Sequence, residues 1–135
     1  MSQIPLRMTF QAVFERAHHR GLPAQVVAAE LLQLLKFGDE FVAWGRVRVF
    51  EASEDNEILP RRIFSEPVPA AFWSRFKSVS DGCDSSWVDD PDKPYEWSQV
   101  DWLGGTAGQC RWEFGDELHW RRYAWTSLEL EDRKS

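Results

Sequence analysis

The spacing of apolar residues changes once in the stretch 23–50, close to Gly38. Before Gly38, apolar residues recur every three or four positions, which predicts an amphipathic helix that begins at Pro23. After Gly38 they alternate over residues 41–50, which predicts a strand. The apolar stripe of the predicted helix consists of Ala24, Val27, Ala28, Leu31, Leu34 and Leu35.

The two faces of the predicted strand differ in chemistry. One face is purely apolar, and we expect it to pack against the preceding helix. The other face combines Trp44 and Phe50 with Arg46 and Arg48, so it is either half covered or a binding surface. The apolar face consists of Phe41, Ala43, Gly45, Val47 and Val49.

Another helix is predicted near the N-terminus. Thr9 suits the N-cap position, because its hydroxyl can accept a free backbone N–H. Apolar residues from Phe10 to Ala17 have helical spacing, and Gly21 can end the helix in the left-handed conformation. Residues 1–8 are expected to be a loose lead-in.

The middle of the chain is predicted to be less regular. Residues 51–57 are polar and acidic and are expected to form a loop. Residues 58–64 contain Pro60, which is typical of an edge strand. A short helix is predicted from Val68 to about Ser78.

Residues 78–96 are rich in Ser, Asp, Gly and Pro, which predicts a long acidic loop. The remaining sequence predicts strands at 97–103, 109–114 and 118–130, with a turn at 104–108. Residues 131–135 are expected to be a frayed, charged tail.

The last hairpin allows a prediction of register. A three-residue loop at 115–117 places Trp112 opposite Trp120, whereas a two-residue loop places Trp112 opposite His119. The first register gathers the apolar rings on one face, and a slip of one residue would separate them. We therefore predict the three-residue loop.

These elements predict one α+β domain over residues 1–135, with two N-terminal helices, one short middle helix and an antiparallel sheet of four to five strands. No apolar run is long enough to span a membrane, and no secretory signal opens the chain. The expected location is the cytoplasm, where Cys83 and Cys110 would stay reduced.

Charge is unevenly distributed along the chain, whose net charge is −6. Residues 1–50 carry six Lys or Arg and four Asp or Glu, whereas residues 51–135 carry ten and eighteen. This balance disfavours a general nucleic-acid binder without excluding one. It favours a protein partner with a basic patch, and it leaves homo-oligomerisation open.

Eight tryptophans supply the strongest candidates for a binding face. Aromatic rings that alternate along strands can form a platform, although most indoles are expected to pack in the core or at interfaces. The predicted partner-binding residues combine such rings with neighbouring arginines and with acids of the loop. They are Trp44, Arg46, Arg48, Trp87, Asp89, Asp90, Asp92, Tyr123 and Trp125.

No set of residues in the sequence predicts catalysis. The cysteines have neither zinc spacing nor a redox motif, and the acids of residues 78–96 do not follow a calcium-loop pattern. The adjacent His18 and His19 point about 100° apart on a helix, which disfavours a shared metal ion. We therefore predict no catalytic residue, no metal and no cofactor.

Two segments resemble known families. The run "FQAVFERA" followed by "AAELLQLLKFGDEFVAWGR" resembles the start of winged-helix and excisionase-type DNA-binding folds, in which the second helix reads the major groove. The longer pattern, with "VPAAFW" and a Trp-containing strand set, is similar to small bacterial proteins of no known activity. The first resemblance implies DNA binding, and the second implies no site.

Three functions follow as hypotheses. The leading one is a non-enzymatic regulatory module that binds a protein partner through an aromatic face and the acidic loop. The second is an accessory DNA-binding module of winged-helix or excisionase type that uses arginines. The third is a small-ligand binder or enzyme with a cleft near His119.

Overall fold

The structure, a computed structural model, describes residues 6–37, 40–53, 56–57, 63–88, 97–112 and 119–133. Within these stretches the chain has the predicted α+β fold, and no helix is long and apolar enough to cross a membrane. The helices are α1 (Phe10–His19), α2 (Ala24–Phe37) and α3 (Ala70–Trp73). The strands are β1 (Leu6–Thr9), β2 (Phe41–Ser53), β3 (Asn56–Glu57), β4 (Ile63–Pro67), β5 (Asp84–Val88), β6 (Trp97–Asp101), β7 (Thr106–Trp112) and β8 (His119–Asp132).

These eight strands form one sheet in which neighbouring strands run antiparallel. Its main path is β3–β2–β8–β7–β6–β5, with β4 also paired to β2 and β1 also paired to β8. Strand β8 is central, because β2 pairs along one of its edges while β7 and β1 share the other. The predicted count of four to five strands is too low, because β1 lies in the predicted lead-in and β3 and β5 lie in predicted loops.

Helix α1 begins and ends as its sequence predicts. The Thr9 hydroxyl accepts the backbone N–H of Ala12 at 3.1 Å, which makes Thr9 the N-cap. Gly21 has a φ of 75°, and Leu22 donates its N–H to the Ala17 carbonyl at 3.0 Å. This pair of features is the Schellman motif, which satisfies the last carbonyls of a helix.

Helix α2 packs against the apolar face of β2, as the change in spacing predicts. Ala43 and Val47 on the strand are fully buried, and most of the helix stripe is buried too. The exceptions are Ala24, which is half-buried, and Leu34, which is exposed. Leu32, absent from the predicted stripe, is buried instead. Pro23 directly precedes the helix, and its carbonyl accepts the first helical N–H, from Val27. Gly38 lies outside the described residues.

Aromatic rings fill the space between the helices and the sheet. Trp102 is completely buried; its ring stacks on Phe10 at 5.9 Å between centroids and lies 5.4 Å from Trp73. The Trp102 indole N–H donates to the Ser85 hydroxyl at 2.9 Å, and that hydroxyl donates to the Ser78 carbonyl at 3.0 Å. This chain of hydrogen bonds lets a polar indole sit in the core without losing its partner.

A β-bulge in β8 changes which side chains face the helices. Between Trp44 and Arg46 on β2 the chain advances two residues, while β8 advances three, from Glu129 to Thr126. Ser127 is the left-handed residue of this bulge, with a φ of 52°. An extra residue shifts the alternation of a strand by one position, so Trp125 and Leu128 both reach the core.

The bulge depends on Gly45 and Gly105. A Cβ at Gly45 would lie 2.9 Å from the Cβ of Trp125 and 3.0 Å from a methyl of Leu128. The carbonyl of Gly105, in the turn between β6 and β7, accepts the N–H of Leu128 at 3.0 Å. The glycine at position 45 therefore provides the space that both core side chains occupy.

The first strand is held by backbone pairing and by charge, which corrects the prediction of a loose lead-in for residues 6–8. Strand β1 pairs with the end of β8, and Arg7 lies opposite Glu131. Glu131 is buried and pairs with Arg7 at 3.4 Å and with Arg133. Glu131 and Asp132 thus belong to β8 and not to a frayed tail.

Two other predicted loops are shorter than expected. Residues 51–53 extend β2 and pair with residues 56–57 in β3, so the predicted loop over 51–57 is wrong for these residues. Residues 84–88 form β5 within the predicted acidic loop, because they pair with β6. The composition of these segments is typical of loops, but hydrogen bonds to a neighbouring strand hold their backbone in a strand.

The boundaries elsewhere shift by a few residues. Strand β7 starts at Thr106, so the turn covers 102–105 and not 104–108. Helix α3 is a single turn after Pro69, and Phe76 beyond it is still buried. The predicted edge strand at 58–64 is described only from Ile63, where β4 begins.

The predicted register of the last hairpin is confirmed. Trp112 pairs with Trp120, and Arg111 pairs with Arg121. The loop between these strands, residues 113–118, lies outside the described residues.

Substituting Gly45 is expected to destabilise the fold. In Gly45→Ala the new methyl meets the backbone-attached Cβ of Trp125, and such overpacking typically costs about 1–3 kcal/mol. Urea unfolding followed by Trp fluorescence measures the change. Gly82→Ala is the matched control, because its Cβ meets nothing closer than 3.6 Å and the change should stay within about 0.5 kcal/mol. Equal stability of both variants would contradict the packing described for the bulge.

Acid is expected to weaken the attachment of β1. Burial by itself raises the pKa of Glu131, but the hydrogen bond and charge of Arg133 and the charge of Arg7 outweigh it, so this pKa lies below the usual glutamate value. The stability contributed by Glu131 is therefore fully present above the unfolded pKa and is lost as pH falls through the lower folded pKa.

Urea unfolding of wild type and Glu131→Gln at a series of pH values checks this dependence. The difference in the free energy of unfolding between the two should be largest near neutral pH and should shrink in acid. Glu129→Gln is the control, because among the described residues Glu129 makes no ion pair. A difference that stays constant with pH would contradict the assignment.

Candidate functional site

The sheet has two faces with different surroundings. The helices pack on one face, where Val47, Trp125, Ala107, Val100 and Ser85 form a buried row across five strands. The opposite face, which we call the open face, carries many exposed polar side chains. A cavity of about 640 Å³ lies on the open face, and we call it the trough.

Three rows of paired residues cross the open face. Two small residues, Ala124 and Gly108, lie in the middle of the central row. The first row combines the pair Arg46–Thr126 with the paired series Thr106, Asp101 and Asp84. The central row is Arg48, Ala124, Gly108, Gln99 and Ser86. The third row is Phe50, Arg122, Cys110, Trp97 and Val88.

The floor of the trough contains an indole ring. Trp97 is half-buried, and its ring carbons come within 3.1 Å of the position that a Cβ on Gly108 would occupy. Because Gly108 has no side chain, the Trp97 ring can lie directly over the backbone of β7. Ala124 on the neighbouring strand extends this shallow, apolar floor.

Cationic groups gather at the β2 side of the trough. Arg46 and Arg48 are exposed, and neither guanidinium has a hydrogen bond or an ion pair among the described residues. Arg48 lines the trough, and Arg46 flanks it beside Thr126. Arg122 lies over the Phe50 ring at 4.6 Å, which is the geometry of a cation–π contact.

Acidic groups stand at the opposite side. Asp84 on β5 and Asp101 on β6 are directly opposite each other, and both are exposed. Asp101 is oriented by the turn that follows it, since its carboxylate accepts the N–H of Gly104 at 2.9 Å. The trough therefore has a cationic side and an anionic side, separated by the Trp97 floor.

The structure separates the residues that the sequence assigns to a partner-binding face. Trp44, Arg46 and Arg48 are on the open face; Trp44 is half-buried beneath the Arg7 guanidinium, which lies 3.8 Å from its ring centre. Tyr123 and Trp125 stack on each other on the helix side, and Trp125 is buried in the core.

Trp87 also packs on the helix side, with Arg75 over its ring at 4.7 Å. Asp89, Asp90 and Asp92 lie outside the described residues. Val88 and Trp97, the described residues on either side of 89–96, are paired.

The residues considered for catalysis do not converge. Burial, reinforced by the charges of Asp84 and Asp101, raises the pKa of the Cys83 thiol, which keeps it in the unreactive protonated form. Cys110 pairs with Arg122 in register, which places position 119 on the opposite face of β8. Among the described residues, no three His, Cys, Asp or Glu side chains are grouped to hold a metal ion.

Several residues of the trough are missing from the sequence-based prediction: Trp97, Gln99, Asp101, Gly108 and Arg122. The sequence did contain a pattern for part of this set. Along β6, Gln99 and Asp101 alternate with Ser98 and Val100, and the structure buries the latter two. An amphipathic strand is predictable from that alternation, but its place beside the arginines of β2 is not.

The trough combines groups from five strands that are far apart in the sequence. No protein-family model matches this chain, and no curated protein or solved structure is significantly similar to it.

Proposed function

We propose that this domain is a non-enzymatic interaction module that binds a protein partner in the trough. The observation that supports this proposal most directly is that positive and negative side chains are grouped on opposite sides of a half-buried indole. Arg46 and Arg48 are neighbours on one face of β2, while Asp84 and Asp101 face each other across β5 and β6.

This arrangement opposes the stability of the free protein. Like charges directly opposite each other on antiparallel strands, as Asp84 and Asp101 are, destabilise the pair. A partner that neutralises both ends explains why the charges are kept apart. Trp97 adds the aromatic anchor that is typical of the centre of protein interfaces.

Protein is favoured over nucleic acid by the same pattern. A nucleic acid carries a negative charge at every phosphate, so a strand laid along the trough would gain at Arg46 and Arg48 but meet Asp84 and Asp101. A polypeptide can place acidic and basic residues independently. In the sequence, Asp89, Asp90 and Asp92 follow β5 directly, and this acidic segment favours a partner with a basic patch.

A steric block in the trough is expected to abolish partner binding. Gln99 is exposed in the central row, so Gln99→Trp fills the trough with little effect on folding. Affinity purification from the source cells, followed by mass spectrometry, compares the proteins retained by wild type and by this variant. Proteins that bind the trough should fall at least about tenfold with Gln99→Trp, a loss of about 1.4 kcal/mol or more.

Gln33→Trp is the matched control, because it makes the same change at an exposed position of α2 that lines none of the described cavities. It should retain the same proteins as wild type. The proposal fails if Gln99→Trp retains every protein that wild type retains, or if both tryptophan variants lose them equally.

A further inference from the structure

Resting on the proposed function, we infer that the trough takes an extended segment of the partner that is acidic at the β2 side and basic at the β5 side. The length of the trough, the charges at its two sides and the apolar surface between them support this chemistry for the bound segment.

The length of the trough matches a short peptide. From β2 to β5 the central row crosses four strand spacings, or about 19 Å at roughly 4.8 Å each. An extended chain advances about 3.3 Å per residue, so about six residues span the trough. A folded helix of the same length would cover only about half of this distance.

The cationic side fits two carboxylates. Arg46 and Arg48 are two residues apart on the same face, which separates their backbone positions by roughly 7 Å. This separation runs along β2, so it lies across a segment that crosses the strands. Side chains of an extended segment alternate between its two sides, so acidic side chains on either side of its backbone can each meet one guanidinium. Arginine is suited to this contact, because its planar group can hold a carboxylate with two parallel hydrogen bonds.

The middle of the trough fits small or β-branched side chains. Ala124 leaves room above the floor, and the Trp97 ring, which lies over Gly108, supplies apolar surface. Gln99 and Ser86 are exposed in the same row and can bond to the peptide backbone. A backbone that crosses the strands cannot pair with them as a new strand would, so these side chains provide its hydrogen bonds.

The anionic side selects a cation. Asp84 and Asp101 share one face, and the hydrogen bond from Gly104 orients the Asp101 carboxylate. Burial, and then the negative charges of these two aspartates, raise the pKa of the nearby Cys83 thiol. A lysine or arginine at the far end of the segment would relieve the repulsion between the two aspartates.

Synthetic peptides test this chemistry without a known partner. The first probe is the capped octapeptide Glu-Thr-Glu-Thr-Val-Lys-Thr-Lys; the second replaces every Glu and Lys with Gln; the third replaces each Lys with Glu. Titration of ¹⁵N-labelled protein follows the Trp97 indole N–H and the backbone signals of Gly108 and Ala124. The first peptide should shift these signals and bind about tenfold more tightly than either of the others at low salt.

Charge variants of the protein complete the test. Arg46→Glu combined with Arg48→Glu should abolish binding of the first peptide, and Arg46→Gln with Arg48→Gln should weaken it, with dispersed NMR spectra confirming that both variants fold. Arg16→Glu with Arg20→Glu, at an exposed position of α1 and at its exposed C-cap, is the matched control and should bind as wild type does. Asp84→Asn with Asp101→Asn should remove the preference for the first peptide over the third.

The outcomes separate this inference from the proposed function. Equal binding of the three peptides, or no shift at Trp97, overturns the inference; the proposed function still stands if Gln99→Trp loses cellular partners. If those partners survive Arg46→Glu with Arg48→Glu, the bound segment is not acidic and the inference is again overturned. Tighter, salt-sensitive binding of duplex DNA than of any peptide, lost with the same arginine variant, overturns both.

Discussion

The fold depends on one extra residue in its central strand. Without the bulge at Ser127, the side chains of β8 would alternate uniformly, and either Trp125 or Leu128 would leave the core. With it, Trp125 packs on the helix side and Leu128 does so three residues later, both against the space left by Gly45. The local cost of a left-handed serine is offset by burial of two large apolar side chains.

The same bulge decides what the open face presents. Because Trp125 faces the helices, its neighbours Ala124 and Thr126 must face the trough. Ala124 is the small residue that keeps the floor low, and Thr126 lies beside Arg46. On the far side of the bulge the alternation is reversed, so Glu131 joins the open face and pairs with Arg7 and Arg133. The bulge at Ser127 thus determines both the packing of the core and the residues of the proposed binding surface.

The sequence predicted an element correctly where a local residue pattern was compatible with a single structural role. Thr9 and Gly21 mark the two ends of α1 because their residue types suit the caps of a helix. Alternation along 41–50 identified the buried face of β2. The hairpin register was predictable because only one register gathers the apolar rings. The bulge was missed, although the apolar pattern of β8 changes phase between Trp125 and Leu128. Strands β1 and β5 were missed because short polar segments become strands only when a partner edge is available.

The candidate site shows the same division. The arginines on the polar face of β2, the excess of acid in the second half and the helix–strand unit at the start can be read from the sequence, since they depend on residues close along the chain. Three other features require the folded chain: Trp97 lies over Gly108, Asp84 and Asp101 meet, and Trp125 is buried. Each of these depends on which strands are neighbours, and strand pairing joins residues whose distance along the chain carries no local signal.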